Sequence, residues 1–287
     1  MRGSVSDFAL PCSGFSRMKR LLSLHGFAIV VCACAFCAPA LADLDLNMPQ
    51  GVTTGSREIY ALHMLILWVC VFIAAGVYLA MLVAIVRFRK SKGAVPAKFT
   101  HNTAAEVIWT VIPAIILIAL AIPAARTLVR LEDTRGSDLT IRITGYQWQW
   151  HYEYIDQGVA FFSRLAPESN AARRKGSGID PFSVENYLLD VTEEVVVPVG
   201  AKVRLLIGAA DVLHSWWVPE LGVKKDAIPG FINEAWFEPH EEGTFRGQCA
   251  ELCGMDHGFM PIVVRVVSES EYDSWLEAKQ PAAAGGN

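Results

Sequence analysis

Four side chains that bind soft metal ions stand close together near the C-terminal end of the chain. The stretch GQCAELCGMDHGFMP, residues 247–261, contains them at spacings of four, four and three residues: Cys249, Cys253, His257 and Met260. Two thiols, an imidazole and a thioether at such short spacings can converge within one loop between two strands. The sequence therefore predicts a single chemical site in this loop.

A further ligand is expected from a distant part of the chain. His214 is the strongest candidate, because it precedes a Trp-Trp pair in the strand-like run HSWWVP. A β-sandwich can bring such a strand beside the loop. We therefore add His214 to the predicted site.

Three interpretations compete for these residues. A disulfide between the two cysteines would close a short, awkward loop and leave His257 and Met260 unexplained. Zinc binds two cysteines and two histidines readily, but a borderline-hard ion does not select the Met260 thioether. Copper uses the whole set, because thiolate, thioether and imidazole are the ligands of electron-transfer copper sites. Copper is favoured, with zinc and a disulfide left as alternatives.

Cys249 bears on the number of copper ions. A single copper needs only one thiolate, and Cys253 already supplies it in the usual order of cysteine, histidine and methionine along one loop. Cys249 is surplus to that set, and two thiolates are what is required to bridge two metal ions. Two bridged coppers can share one electron with little change in geometry, which suits an electron relay.

The composition of the chain indicates membrane segments. The chain has 287 residues, 53% of them hydrophobic, and its mean hydropathy is +0.33. Residues 59–86 and 107–125 carry no Asp, Glu, Lys or Arg, and each stretch is long enough to cross a hydrocarbon core of about 30 Å. We predict a helical hairpin of two transmembrane helices, at residues 59–86 and 107–128.

The N-terminal part of the chain has the pattern of an export signal. A basic pair precedes an apolar stretch and a small-residue motif that ends at Ala42. We expect residues 1–42 to be a leader and signal peptide, cleaved after Ala42, with translation starting at Met18; an uncleaved first helix is the alternative. Residues 43–58 would then be a short periplasmic segment.

Charge predicts the orientation of the two spans. The loop between them, residues 87–106, has five Lys or Arg, and its one acidic residue, Glu106, is the last. Positive loops stay in the cytoplasm, so everything after the second span is expected outside. The part from residue 129 onward has 24 acidic and 14 basic residues, whereas the whole chain has a net charge of −4. This acidic field would attract a cationic partner.

The exported part has the signals of an all-β domain. We predict a linker at residues 129–138, the domain at residues 139–270, and a C-terminal helix and tail at residues 271–287. Short apolar or β-branched runs separated by turn residues predict a sandwich or barrel, and LTIRITGYQWQWHYEY alternates with the period of a strand. The polar stretch SRLAPESNAARRKGSGIDPF predicts a surface loop. Dinucleotide and P-loop glycine patterns are missing from the sequence, and we expect no nucleic-acid partner.

Five stretches together resemble subunit II of the haem–copper cytochrome c oxidases: GQCAELCGMDHGFMP, DVLHSWWVP, GVKKDAIPG, GYQWQWHYEY and AEVIWTVIPAIILIALAIPA. The resemblance spans residues 59–275. It implies two transmembrane helices followed by an all-β cupredoxin-like sandwich that holds a binuclear copper centre, CuA. It also places the chain in a bacterial inner membrane, with the copper domain on the periplasmic side.

Carried over residue by residue, the resemblance implies six copper ligands: His214, Cys249, Glu251 through its backbone carbonyl, Cys253, His257 and Met260. The carboxylate of Glu251 would also bind a magnesium ion shared with subunit I. Phe231 departs from the arginine that family members commonly carry, and this puts details of the contact with subunit I in doubt. Trp217 replaces a usually smaller residue.

The resemblance also implies roles for five residues outside the ligand set. Trp148 would be the electron entry point facing cytochrome c, although its parity in the aromatic run alone predicts a core residue. Glu106 would stand at the entrance of a proton pathway, although an acidic residue at a helix start also stabilises the helix dipole. The predicted docking carboxylates are Asp211, Glu153 and Asp156.

The function implied is that of the electron-entry subunit of a proton-pumping terminal oxidase. Cytochrome c would deliver electrons to the copper pair, and subunit I would reduce oxygen to water with them. Other oxidase subunits and membrane lipid would be further partners. Two alternatives stay open: the copper-containing subunit of a nitric oxide reductase, and a non-catalytic copper-binding protein.

Overall fold

A computed structural model describes residues 47–280. The predicted leader and signal peptide at residues 1–42 and the end of the predicted tail lie outside the described residues. The elements below belong to one compact unit that begins at Pro49.

Two long helices, α1 (Thr54–Arg87) and α2 (Thr103–Leu131), are long and apolar enough to cross a membrane. Both extend beyond the predicted apolar spans, because polar residues cap them. The Thr53 hydroxyl accepts the Ser56 N–H at 3.0 Å, and the Ser56 hydroxyl accepts the Thr53 N–H at 3.0 Å, which together form a capping box. α2 continues to Leu131, so the predicted linker begins as helix.

Within residues 47–280 ten strands follow the helices: β1 (Leu139–Tyr146), β2 (Gln149–Tyr154), β3 (Val159–Ser163), β4 (Val195–Pro198), β5 (Val203–Ala209), β6 (His214–Val218), β7 (Val223–Ala227), β8 (Asn233–Phe237), β9 (Gly243–Cys249) and β10 (Pro261–Val267). They form two five-stranded sheets, in the orders β3-β2-β1-β5-β8 and β4-β10-β9-β6-β7. β1 pairs with β5 and β4 pairs with β10 in parallel; the other neighbours are antiparallel. This architecture confirms the predicted cupredoxin-like sandwich.

The aromatic run forms two strands of a hairpin instead of one long strand. β1 ends at Tyr146, residues 147–148 make the turn, and β2 begins at Gln149 opposite Tyr146. The aromatic residues of β2 still fill the core, since Trp150, Tyr152 and Tyr154 are at most 1% exposed. Alternation alone did not reveal the turn because the aromatic parity continues through it.

Two shorter helices complete the fold: α3 (Pro167–Ala172) and α4 (Glu269–Lys279). α3 lies in the stretch predicted as a surface loop, but its Ser169 and Ala172 are buried. α4 is capped by the Ser268 hydroxyl, which accepts the Glu271 N–H at 3.3 Å, and it starts two residues before its predicted position.

The β-sandwich is hydrogen-bonded to the outer ends of the long helices. The Val52 N–H donates to the Glu220 carbonyl at 3.0 Å, and the Thr53 hydroxyl donates to the Leu221 carbonyl at 2.9 Å. On the α2 side, Trp236 Nε1 donates to the Arg130 carbonyl at 3.3 Å. Both helices therefore contact the sandwich directly.

Candidate metal centre

The predicted ligands lie where two neighbouring strands end. β9 ends at Cys249, and the 11-residue loop to Pro261 carries the other three loop ligands. His214 begins β6, which pairs with β9 so that Trp216 faces Cys249. The Ala250 N–H donates to the Ser215 carbonyl at 2.9 Å, which fixes the start of the loop beside His214.

The ligand atoms converge on the two cysteine sulfurs. The Cys249 and Cys253 Sγ atoms are 3.9 Å apart. His214 Nδ1 lies 3.9 Å and the Glu251 carbonyl oxygen 3.3 Å from the Cys249 Sγ. His257 Nδ1 lies 3.6 Å and Met260 Sδ 3.5 Å from the Cys253 Sγ. The structure thus brings together all six predicted donor atoms.

The cluster has the properties of a metal site. His214, Cys249 and Cys253 are buried and close enough to hold one ion between them. In the part of the chain that the structure describes, both thiols are free, so a disulfide does not account for the pair. Met260 is 1% exposed, and its Sδ atom, a soft donor, lies 3.5 Å from the Cys253 Sγ. This soft donor set fits copper better than zinc.

The two thiols do not ionise alike. Burial raises the pKa of Cys249, but contact with His214 and with backbone groups outweighs it, so the pKa of this thiol is lowered. Burial and the neighbouring charge of Cys249 both raise the pKa of Cys253. The charge of one thiolate thus opposes the ionisation of the other, and a bound cation would offset this repulsion.

Asp211 holds His214 in position. Its carboxylate accepts His214 Nε2–H at 3.0 Å, the Gln147 N–H at 2.7 Å and the Val212 N–H at 2.6 Å. Burial raises the pKa of Asp211, but these donors outweigh it and lower the pKa. With the proton on Nε2, the Nδ1 lone pair of His214 faces the cysteine sulfurs. Asp211 was predicted as a docking carboxylate from sequence, and that role stays a prediction.

A glycine lets His214 pack closely against β1. A Cβ on Gly145 would lie 2.8 Å from Cδ2 of His214, closer than any real contact. The Trp150 ring lies edge-on to His214, with centroids 5.9 Å apart, and Trp150 Nε1 donates to the Met260 carbonyl at 3.4 Å. Gly145 was not predicted from the sequence, because its close contact with His214 arises only when the two sheets pack together.

Trp148 lies against the metal loop, the 11 residues 250–260 between β9 and β10. The ring is half-buried, and a Cβ on Gly254 would be 3.2 Å from its Cζ2. The adjacent Gln147 donates from Nε2 to the Cys253 carbonyl at 2.8 Å. The β1–β2 turn therefore supports the first half of the loop and carries Trp148 next to a predicted ligand.

The carboxylates of the remaining predicted residues are not part of the cluster. Glu153 pairs with Arg142 at 2.9 Å, whereas Asp156 is exposed. Glu251 exposes its side chain although its carbonyl faces Cys249. Glu106 is exposed in the first turn of α2, where its Oε1 accepts the Asn102 N–H at 3.3 Å. Glu106 thus stands where it can stabilise the start of the helix, and its role in proton uptake stays a prediction.

Replacing Asp211 by asparagine is expected to weaken copper binding by roughly tenfold. The amide cannot accept the three hydrogen bonds that the carboxylate accepts, so His214 loses its fixed orientation. Release of copper to a chelator measures the effect. Asp156→Asn is the matched control, because it removes the same charge from the predicted docking face without touching His214. Equal copper retention in both variants would show that Asp211 does not position the ligand.

Comparisons with known proteins give one consistent family. The family model described as "Cytochrome C oxidase subunit II, periplasmic domain" matches residues 139–267, and the one described as "Cytochrome C oxidase subunit II, transmembrane domain" matches residues 42–126. The two matches together include the whole β-sandwich, all of α1 and most of α2.

Individual relatives cover almost the whole chain. A probable cytochrome c oxidase subunit 2 of Rickettsia bellii is 38% identical over 270 residues, which are 94% of this chain and 96% of the relative. The cytochrome c oxidase subunit 2 of Cereibacter sphaeroides is 40% identical over 268 residues, 88% of each chain. The crystal structure of the periplasmic domain of subunit II of cytochrome oxidase of Bradyrhizobium japonicum is 42% identical and covers 51% of this chain and 96% of its own, with a TM-score of 0.44.

Proposed function

The chain belongs to the cytochrome c oxidase subunit II family, and from this premise we propose that it accepts electrons from cytochrome c at a CuA centre and passes them to the haem of subunit I. The observation that carries the proposal is the convergence of four further donor atoms on two cysteine sulfurs 3.9 Å apart. Two thiols at the centre of such a set are the arrangement that a shared pair of metal ions requires.

The chain's own residues would bind the copper and exclude water from it. Copper supplies one-electron redox chemistry when it is bound at these ligands. His214 is 0% and Met260 1% exposed, so these two ligands are shielded from water. Asp211 fixes the proton of His214 on Nε2, and the β1–β2 turn supports the loop through the Cys253 carbonyl. A rigid, preformed donor set changes little in geometry when the charge changes, which favours fast electron transfer.

Electron entry is proposed at Trp148. Its partly buried ring lies beside Gly254, the residue after Cys253, because a Cβ built on Gly254 would be 3.2 Å from Cζ2 of Trp148. A donor that docks over Trp148 would therefore place its electron one residue from a cluster sulfur. Glu251 supports the onward direction, because its carbonyl faces Cys249 while its exposed carboxylate is free to bind the predicted magnesium ion toward subunit I.

Oxygen reduction to water and proton pumping are proposed for the assembled oxidase, with subunit I as the site of oxygen chemistry. The exposed Glu106 at the start of α2 is the proposed entrance of one proton pathway. The location proposed is the bacterial inner membrane, with lipid around the two long helices and the copper domain in the periplasm.

Copper stoichiometry and spin state test the proposal. The full-length chain, purified in detergent and loaded with copper, should bind two coppers that share one unpaired electron in electron paramagnetic resonance. A spectrum of one localised copper would contradict the CuA assignment. Oxygen and nitric oxide offered separately to the purified complex would distinguish an oxidase from a nitric oxide reductase. Copper that exchanges freely, with no electron transfer from cytochrome c, would indicate a storage protein.

The acidic surface leads to a salt prediction. We expect the rate of cytochrome c oxidation at subsaturating donor to fall by about tenfold or more when salt rises from low to several times physiological ionic strength. The reason is that screening removes the long-range attraction between the acidic domain and a cationic donor. An uncharged small-molecule reductant is the control, and its oxidation rate should stay nearly constant. Equal salt dependence for both donors would argue against an acidic docking face.

A further inference from the structure

We propose that the segment between β3 and β4 is a clasp on the metal loop, in which Arg173 orients His257 and Met260 through the residues that precede them. The inference rests on the proposed function, because the orientation of these ligands matters only if the loop binds copper. Arg173 is thus a positioning residue, because it acts on the two ligands through Asp256 and Phe259.

The contact between Arg173 and the loop has three parts. Its Nη1 and Nη2 donate to the two carboxylate oxygens of Asp256 at 3.2 and 3.0 Å. Its guanidinium carbon lies 4.2 Å from the centre of the Phe259 ring. Its Nε donates to Asn170 Oδ1 at 2.8 Å, which orients the guanidinium. A planar fork can satisfy a carboxylate and stack on a ring simultaneously, whereas a lysine ammonium cannot.

This contact is partly shielded from water. The side chains of Arg173 and Asp256 are 24% and 23% exposed. Exposed ion pairs contribute little because water and salt screen them, but a bidentate pair in this setting keeps more of its strength. The Arg173–Asp256 pair is therefore expected to stabilise the loop more than an exposed ion pair would.

The residues that Arg173 contacts stand beside two predicted ligands. Asp256 immediately precedes His257, and Phe259 immediately precedes Met260. Asp256 precedes a single 3₁₀ turn, His257–Phe259, which ends at Phe259. The Phe259 N–H donates to the Asp256 carbonyl at 2.9 Å. Among the described residues the Asp256 side chain caps no N–H of this turn, and its carboxylate is directed to Arg173 instead. One guanidinium thus holds both ends of the turn that carries the His257 ring.

The clasp is itself held together by hydrogen bonds between its two ends. The Ala166 N–H donates to the Asp190 carbonyl at 3.0 Å, so the two ends of the segment are joined. The Ser169 hydroxyl is 0% exposed and accepts the Leu188 N–H at 3.1 Å. Arg173 follows directly after α3, and its position within the clasp is therefore fixed by these contacts.

The two halves of the metal loop have separate supports. Gln147 holds the Cys253 carbonyl in the first half, and Arg173 holds the turn in the second half. Trp148, Arg173, Asp256 and Phe259 also line one cavity of about 270 Å³. Loosening Arg173 is therefore expected to disturb His257 and Met260 while leaving Cys249 and His214 in place.

Substitution of Arg173 tests the clasp in the purified, copper-loaded full-length chain. Arg173→Ala should release copper to a Cu(I) chelator roughly tenfold faster than the unsubstituted chain and should shift the absorption and electron paramagnetic resonance spectra of the bound copper. Asp256→Asn should do the same with less disruption. The double substitution should be no worse than Arg173→Ala alone, because the loss of Arg173 already breaks the contact with Asp256. Arg173→Lys should restore only part of the retention.

Arg174→Ala is the matched control, since it removes the same charge from the exposed neighbour, and it should leave retention and spectra unchanged. A lower unfolding temperature of Arg173→Ala with unchanged copper spectra would overturn the proposal and assign a merely structural role. If Arg173→Ala does not fold, unchanged retention in Asp256→Asn would overturn it equally. An unsubstituted chain that binds no copper would instead contradict the proposed function.

Discussion

Replacing Cys249 by serine is expected to prevent the proposed copper pair from forming and to slow electron entry by about 100-fold. A serine hydroxyl stays protonated near neutral pH and is a hard oxygen ligand, so it cannot bridge two copper ions as a thiolate can. The Cys249 Sγ lies 3.9 Å from both the Cys253 Sγ and His214 Nδ1. The substitution therefore removes the atom that joins the strand-borne ligand to the loop ligands.

The measurement combines two observations on the purified oxidase complex: steady-state oxidation of reduced cytochrome c and the electron paramagnetic resonance spectrum of copper. Cys70→Ser is the matched control, because Cys70 is a free thiol in α1, outside the cluster. It should keep both turnover and the shared-electron spectrum. Survival of that spectrum in Cys249→Ser would mean that the second thiolate is not a bridging ligand.

Replacing Gly247 by alanine is expected to destabilise the sandwich by about 3 kcal/mol, through overpacking of a tight site. A Cβ on Gly247 would lie 2.0 Å from the Trp217 carbonyl oxygen and 2.7 Å from Cγ2 of Val218. Neither the backbone carbonyl nor the buried valine can move aside without separating β6 from β9. These are the strands that bring His214 beside Cys249, so copper retention should fall together with stability.

Thermal unfolding of the full-length chain measures this effect, and a decrease of about 10 °C is expected for the sandwich transition. Gly258→Ala is the control for replacing a glycine in the same region. Among residues 47–280, no atom lies within 4 Å of a Cβ built on Gly258, so its unfolding temperature should change little. Similar unfolding temperatures for the two variants would show that β6 and β9 can separate at small cost.

The loop ligands could be predicted from the sequence because they are local. Residues four, four and three apart must lie near one another in any loop that joins adjacent strands, and the structure places Cys249, Cys253, His257 and Met260 in that way. His214 needed one further assumption, that a sandwich would bring its strand beside the loop, and β6 is observed next to β9, the strand that ends at Cys249.

The supports of the site could not be predicted, because they depend on tertiary packing. Arg173 and Asp256 are 83 residues apart, and neither type of residue is unusual on a surface. Gly145 matters only because His214 packs on it. The contact of Asp211 with His214 could have been predicted, since Asp211 precedes His214 by only three residues. The resemblance instead implied a docking role for Asp211 at the surface.

The helix ends differ from prediction for another physical reason. Hydropathy locates the apolar part of a helix, whereas hydrogen bonds decide where the helix stops. α1 begins at Thr54 because Thr53 and Ser56 satisfy its first N–H groups. α2 continues past its apolar run, where Arg130 pairs with Glu58 of α1 at 2.9 Å. Short polar motifs and contacts between the helices thus set both boundaries.

The junction between the long helices and the sandwich has a kinetic consequence. Hydrogen bonds join Thr53 to Leu221 and Trp236 to Arg130, so the sandwich is attached at two helix ends. A domain held in this way cannot swing between a donor and an acceptor as a tethered shuttle would. Under the proposed function, the copper centre would stay at one height above the bilayer, and the tunnelling distance to an acceptor in subunit I would be constant. The collision with cytochrome c would then be the diffusive step in electron delivery.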